Sequence, residues 1–338
     1  MSRMRKRRIS NPWANIFARS MATITRDSLR VGTRAMESAI KPSLEKREPP
    51  PGAGDWIRGM AFGPAGVRRY RLYRPPGVVF GERLPLMVML HGCGQDAKSF
   101  ATSTRMNRIA ARERFLVLYP EQDRLSNAHG CWNWFDNTAG RNHGEATLIM
   151  RAIDQVCLLY PVDRTRVAIA GLSAGASMAA LLVTRHPERF KAVVMHSGVP
   201  PGTARSAISA LGAMHGRRTT APLKATPVSM AALWPPLMVI HGGMDHVVAT
   251  TNGHAAAQVW ADAAGAHASK GRSVQRGNRY PMTVTDFKRG RNTVSTLVEV
   301  GMLGHAWSGG SANLPYSDGK GPDASRMVWA FAARQFRG

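Results

Sequence analysis

At residues 171–175 the chain reads Gly171-Leu172-Ser173-Ala174-Gly175, and its flanks matter as much as the motif. An apolar run at 166–170 precedes it, with the length of a buried strand. An Ala- and Leu-rich stretch with helical spacing follows at 174–184. A turn of this pattern between strand and helix strains the backbone at its central serine and lifts the hydroxyl clear of the sheet. Glycines two residues to either side are needed because a side chain there would strike the neighbouring strand or helix. The following helix aims its N-terminus at the site, which favours negative charge. The alternative is a chance Gly/Ser/Ala turn; the strand–turn–helix context argues for Ser173 as a nucleophile.

The surrounding sequence repeats this alternation. Apolar runs at 86–90, 116–119, 166–170, 192–195, 237–240 and 294–300 predict strands, and 69–74 reads as an edge strand. Helical spacing occupies 99–114, 147–159, 174–184, 255–264 and 324–335. Such a sequence specifies an α/β fold, a mostly parallel sheet with helices on both faces. In sheets of this kind chemistry sits just beyond the carboxyl ends of the strands.

A serine hydroxyl needs a base, and the base needs a carboxylate to orient it. After a strand-borne serine of this type the chain order is Ser, then Asp or Glu, then His. The strand at 237–240 runs into His241-Gly242-Gly243-Met244-Asp245, placing Asp245 on a glycine-rich turn; a purely turn-forming aspartate is the alternative. The last strand leads to Gly304-His305-Ala306-Trp307, where glycine-flanked His305 can reach across to Ser173. His91, His196, His241 and His246 fit the base role less well and are read as structural. The oxyanion donors are expected at the backbone N–H groups of Ala174 and of Cys93, in the turn His91-Gly92-Cys93-Gly94-Gln95. Cys131-Trp132-Asn133-Trp134-Phe135 carries three aromatics in four residues. Trp132 and Trp134, with Trp307 beside the base, are the candidate substrate wall; a hydrophobic cluster beneath a long loop is the alternative.

The first fifty residues differ from the body. They hold a net +8 of the chain's +25, beginning with Arg3, Arg5, Lys6, Arg7 and Arg8. Trp13, Phe17, Met21, Ile24, Val31 and Ala35 recur at helical spacing opposite Arg19, Arg26, Arg30 and Arg34. This predicts a basic amphipathic arm, followed by a proline linker, over residues 1–54, with the catalytic body at 55–338. Such an arm suits an anionic membrane or a hydrophobic granule, or a loose dock on its own body. No apolar stretch of about 7–15 residues follows the basic start, so a usual secretory signal is not expected. The remaining positive charge is dispersed without interleaved aromatics, which argues against a nucleic-acid site. Three cysteines in 338 residues exclude a disulfide-dense scaffold.

Taken together, HGCGQ at 91–95, CWNWF at 131–135, YPVDRTRVAIAGLSAG at 160–175, GGMDHVV at 242–248, and GHAWSGG with PYSDGKGPDASR within 304–326 resemble the esterase family of polyhydroxybutyrate depolymerases. The resemblance covers about residues 58–337. It implies the α/β-hydrolase fold, a Ser173–Asp245–His305 triad and an oxyanion hole at Cys93 and Ala174, with no metal or organic cofactor. It implies ester substrates: short-chain hydroxyalkanoate oligomers, feruloyl esters or acetylated polysaccharides. It also implies a Cys93–Cys131 disulfide, leaving Cys157 a buried free thiol, and an extracellular location, with a cytoplasmic one as the alternative. Ala176-Ser177 departs from the glycine usual in the family, and the basic arm has no counterpart in secreted members. With no Ser/Thr-rich linker or further domain after the body, soluble esters or oligomers are expected over crystalline polymer. An acyltransferase, thioesterase or serine peptidase on the same fold is the alternative activity, and a granule- or membrane-binding protein the non-enzymatic one. Residues 200–235 are read as a lid, and 270–291 as a loop plus hairpin.

Overall fold

A computed structural model describes residues 52–135, 140–217 and 233–337. Residues Pro49–Gly338 form one compact unit. The amphipathic pattern at 13–35 lies outside the described residues, as does 218–232 of the expected lid. Among the described residues no helix is long and apolar enough to cross a membrane.

The centre is a run of parallel strands: β3 (Leu84–Leu90), β4 (Leu116–Pro120), β5 (Val162–Leu172), β6 (Ala192–His196), β7 (Leu237–Gly242) and β11 (Asn292–Val300). Their spatial order is β4-β3-β5-β6-β7-β11, every neighbouring pair parallel. All residues of β3, β4, β6 and β7 are buried, as a sheet covered on both faces requires. Antiparallel strands extend it at both ends. β1 (Asp55–Gly63) and β2 (Gly66–Arg74) form a hairpin that joins β4. β10 (Met282–Arg289) pairs with β11, and the short β8 (His267–Ala268) and β9 (Arg272–Val274) pair with β10.

Alternate strand residues face opposite layers. Met87, Met89, Val117, Ala168, Val194, Ile240 and Val298 share one core with Phe100 of α1 (Ala97–Thr104), Ile109 of α2 (Met106–Glu113) and Val328 and Phe331 of α7 (Ala324–Gln335). The other face is covered by α3 (Arg141–Leu159), α4 (Ala174–Arg185) and α6 (Thr251–Ala264). Helix α5 (Ala207–Met214) lies within the expected lid segment. A small sheet of β12 (Trp307–Ser308) and β13 (Ser317–Asp318) follows the central strands.

Two sequence expectations are corrected. Residues 69–74 are not an edge strand, because β1 pairs outside β2 along its full length. Nor is 99–114 one helix. Arg105 adopts a left-handed conformation (φ 55°) and separates α1 from α2. The Thr104 hydroxyl bonds back to Phe100 O at 2.8 Å and meets Met106 N at 3.4 Å, offering the backbone a local alternative to a continuous helix.

Candidate active site

Ser173 stands between the end of β5 and the start of α4 with φ 56° and ψ −122°. That region is costly for a non-glycine residue, about 1–3 kcal/mol, and persists only where the surroundings enforce it. They do so here. Ser173 N donates to His196 O on β6 at 2.8 Å, and Ser173 O accepts from Ser177 N at 3.1 Å. The two glycines are explained by close approach. A Cβ on Gly175 would lie 2.2 Å from Leu90 O, and one on Gly171 would lie 2.4 Å from the Gly175 carbonyl carbon. As the first residue of α4, Ala174 carries one of the amides a helix cannot pair internally.

Asp245 occupies the turn beyond β7. Its Oδ1 accepts from Val247 N at 2.9 Å and Val248 N at 2.8 Å, so the carboxylate is fixed by its own turn. Its Oδ2 meets His305 Nδ1 at 2.8 Å, with the aspartate side chain fully buried. An aspartate of this kind accepts only, so the imidazole proton sits on Nδ1 and Nε2 is left as a proton acceptor. Burial pushes the Asp245 pKa up. The hydrogen bond and charge of His305, the field of His241 and the Val248 amide outweigh it and hold the carboxyl below the usual range.

The three segments are linked through the backbone. Gly243 N donates to Val300 O at 2.7 Å and Met244 N to Leu303 O at 3.0 Å, joining the acid turn to the loop that carries His305. Ser308 N, three residues past His305, donates to His196 Nε2 at 3.1 Å. His196 therefore binds the Ser173 turn through its carbonyl and the His305 loop through its ring. That ring stacks on Trp307, with centroids 5.0 Å apart. Burial, then the fields of His241 and His305, lowers the His196 pKa to about 3, so it stays neutral and able to accept.

The turn at 91–95 lies beyond β3. Gly92 N donates to Gln95 Oε1 (3.0 Å), Gly94 N to His129 O (2.8 Å) and Gln95 N to Gly92 O (3.3 Å). The Cys93 amide donates to nothing among the described residues. Cys93 and Cys131 are joined in a disulfide, their Cα atoms 4.3 Å apart, which fastens this turn to the 131–135 loop. Cys157 is a buried free thiol whose pKa burial raises.

The aromatic wall is corrected. Trp132 and Trp307 are both 0% exposed, and so present no surface to a substrate. Trp132 Nε1 donates to His91 O at 3.0 Å, and Trp307 Nε1 to Ser325 Oγ at 3.0 Å. Both are buried scaffold, Trp132 beside the 91–95 turn and Trp307 in the loop after His305. Trp134 is also buried, with only a sliver of exposed surface. His91 and His241 are structural too: His91 Nε2 accepts from Gln122 N at 3.1 Å, and His241 Nε2 donates to Val248 O at 2.9 Å.

Sequence reasoning missed a buried polar network beneath the 131–135 loop. Glu145 of α3 accepts from Asn133 N at 2.9 Å, from Asn133 Nδ2 at 2.6 Å and from Gln122 Nε2 at 2.7 Å. Arg68, 1% exposed, donates to Gln122 Oε1 at 2.6 Å and lies over the Trp132 ring at 5.1 Å. Nothing local marks Arg68 or Glu145 as buried, and only the sheet order brings them together. Among the described residues no group of His, Cys, Asp or Glu could hold a metal ion.

Residues 68–274 match the family described as Esterase PHB depolymerase, more than half of the chain. The chain is 31% identical over 180 residues to poly(3-hydroxyalkanoate) depolymerase C of Paucimonas lemoignei, covering 50% of this chain and 42% of that protein. It is 26% identical to feruloyl esterase B of Neurospora crassa, covering 63% and 76% respectively. With acetylxylan esterase A of Emericella nidulans the identity is 23%, covering 69% and 79%. Among solved structures, an acetyl xylan esterase from Aspergillus awamori superposes with a TM-score of 0.59 at 20% identity, over 75% of this chain and 94% of that one. An S-formylglutathione hydrolase from Staphylococcus aureus gives 0.54 at 14% identity, over 86% and 99%. These similarities carry the fold. The chain belongs to the PHB-depolymerase family of esterases, carboxylic ester hydrolases built on the α/β-hydrolase fold.

Proposed function

We propose that this protein is a serine esterase in which Ser173, His305 and Asp245 act as one catalytic unit. The observation that carries the reading is the 2.8 Å hydrogen bond from His305 Nδ1 to a buried Asp245 carboxylate that two backbone amides already hold in place. In the neutral imidazole it places the one ring proton on Nδ1 and leaves the Nε2 lone pair free, the tautomer a general base requires. The strained turn at Ser173 and the shared anchor at His196 support the assignment of the nucleophile.

In this mechanism His305 Nε2 takes the Ser173 proton as the hydroxyl oxygen attacks the ester carbonyl carbon. Asp245 stabilises the imidazolium that results. Negative charge collects on the carbonyl oxygen and is met by the amides of Ala174 and Cys93, preorganised by α4 and by the disulfide-fastened turn. Collapse of the intermediate expels the alcohol, which receives the proton from His305. Water, deprotonated by the same imidazole, then releases the acid and restores Ser173.

We infer carboxylic esters of short hydroxyalkanoate, feruloyl or acetyl type as the substrate class. The named relatives that support this are a polyhydroxyalkanoate depolymerase, a feruloyl esterase and an acetylxylan esterase. The test is steady-state kinetics on p-nitrophenyl acetate and butyrate, 3-hydroxybutyrate oligomers and a feruloyl ester, beside an acyl-CoA thioester and a peptide. Ester hydrolysis with the highest kcat/KM is expected. Turnover of the thioester or peptide alone would overturn the reading.

A further inference from the structure

Glu145 of α3 is a carboxylate only 5% exposed, with no part in the triad. A buried ion of this kind is costly unless its oxygens are hydrogen-bonded and its charge is offset. Both conditions are met from one side. Oε1 accepts from Gln122 Nε2 at 2.7 Å and Asn133 Nδ2 at 2.6 Å, and Oε2 accepts from Asn133 N at 2.9 Å. The offsetting charge is that of Arg68, 1% exposed, which reaches the cluster through Gln122 Oε1 at 2.6 Å. Every donor to Glu145 named here comes from the segment that lies against the 91–95 turn.

Two routes lead from this carboxylate to the Cys93 amide. The first runs through the loop. Gln122 Nε2 also donates to Cys131 O at 2.9 Å, so Glu145 and Gln122 grip the backbone on both sides of Trp132. Trp132 Nε1 in turn holds His91 O at 3.0 Å, and the Cys131 disulfide ends on Cys93 itself. The second runs through a ring. Gln122 N donates to His91 Nε2 at 3.1 Å, which leaves the His91 proton on Nδ1, and Nδ1 donates to Gly92 O at 2.8 Å. The Gly92 carbonyl and the Cys93 N–H belong to one planar trans peptide and point opposite ways. Fixing that carbonyl therefore fixes the direction of the Cys93 N–H.

We propose that Glu145 is a positioning residue for ester hydrolysis: through Gln122, Asn133 and His91 it aims the Cys93 amide at the developing oxyanion, without touching substrate. The inference rests on the serine-esterase reading above. A backbone donor has no side chain of its own to steer it, and a hole that must not reorganise during reaction needs its peptide planes held from outside. The charged cluster supplies that hold from the protein interior, where charge-assisted hydrogen bonds are short and strong.

The test is Glu145→Gln in the full chain, assayed on p-nitrophenyl butyrate and on the matching thionoester, in which sulfur replaces the carbonyl oxygen. The amide changes the volume little but sets an NH₂ group against the donors of Asn133 or Gln122. On the oxygen ester kcat is expected to fall about 10- to 100-fold while KM changes less than about threefold. Sulfur is a poor hydrogen-bond acceptor, so the thionoester gains little from the amide, and the oxygen-to-sulfur ratio of kcat/KM is expected to fall about tenfold. Val328→Ala opens a cavity in the core beside α7, away from this cluster, and is expected to lower the urea midpoint while keeping kcat and the ratio of the parent. If Glu145→Gln does not fold, Asn133→Ala, which removes the 2.6 Å contact and spares the backbone one, is expected to lower the ratio about threefold. A lowered midpoint with parent kcat and parent ratio in the folded variant, or an equal fall of the ratio in Val328→Ala, overturns the proposal. Ser173→Ala assayed in parallel tells the two failures apart. Full hydrolysis there overturns the esterase reading and this inference with it, whereas its loss beside a parent-like Glu145→Gln overturns the inference alone.

Discussion

The Ser173 backbone, at φ 56° and ψ −122°, is a conformation that packing must enforce, and the turn glycines and His196 enforce it. Replacing the hydroxyl by hydrogen leaves that frame intact. Ser173→Ala is accordingly expected to lower kcat on p-nitrophenyl butyrate by about 10⁴-fold or more with an unchanged unfolding midpoint. Asp245→Asn is expected to cost a similar factor, about 10⁴, because an amide in place of Oδ2 favours the wrong His305 tautomer. A parallel loss in the circular dichroism melt would instead show that the side chain serves the fold. The order serine, aspartate, histidine was legible because each falls just after a strand. His196 was not: it ends a strand, and only the hydrogen bonds it accepts from Ser173 N and Ser308 N show that it joins the two loops. Trp132 and Trp307 misled for a related reason. Aromatic density in a loop does not tell whether rings face a cleft or lie beneath it, and burial decides for the latter.

At the scale of elements, the turn at 91–95 and the loop at 131–135 are one unit because a disulfide spans 38 residues of sequence between them. In the chain-entropy account a loop of this length contributes about 4 kcal/mol. Cys93→Ser/Cys131→Ser is expected to lower the denaturant midpoint by a corresponding amount. It is also expected to reduce kcat more than it raises KM, since the turn presents the Cys93 amide rather than a substrate pocket. An unchanged midpoint and kcat would separate the disulfide from both roles. The central strands were legible as short apolar runs. The β1 strand was not, since Asp55–Gly63 mixes exposed and half-buried positions, and its presence moves β2 away from the edge. The break at Arg105 also escaped the pattern, because apolar spacing runs through it and only the Thr104 hydroxyl contacts reveal the interruption.

For the whole molecule, three buried histidines, His91, His196 and His241, each with a pKa that burial lowers, bear on how stability responds to acid. Burial lowers the pKa of His91 to about 4 and that of His196 to about 3, both below the ordinary 6.5. The unfolded chain therefore binds more protons than the folded one in this range, and stability falls as pH drops below about 6.5. His91 and His196 each contribute about 2 kcal/mol of that loss between pH 6.5 and 5. Asp245, held below its ordinary value, adds its own loss only when pH falls through the carboxylate range. Urea midpoints at pH 7.5 and 5.0 are expected to differ accordingly, with a smaller difference in His91→Gln; equal midpoints would contradict the account. The parallel-sheet class was legible from alternating runs and helices, while strand order was not, because it depends on which crossovers pack. That order places residues 173, 245 and 305 after three different strands of one sheet. Their joint action is tested most directly by reacting the protein with a fluorophosphonate and mapping the adduct by mass spectrometry. One phosphonyl group on Ser173, appearing in step with loss of ester hydrolysis and abolished in His305→Ala, is the expected result. Full ester hydrolysis by protein carrying that adduct, or inactivation with Ser173 unmodified, would contradict it.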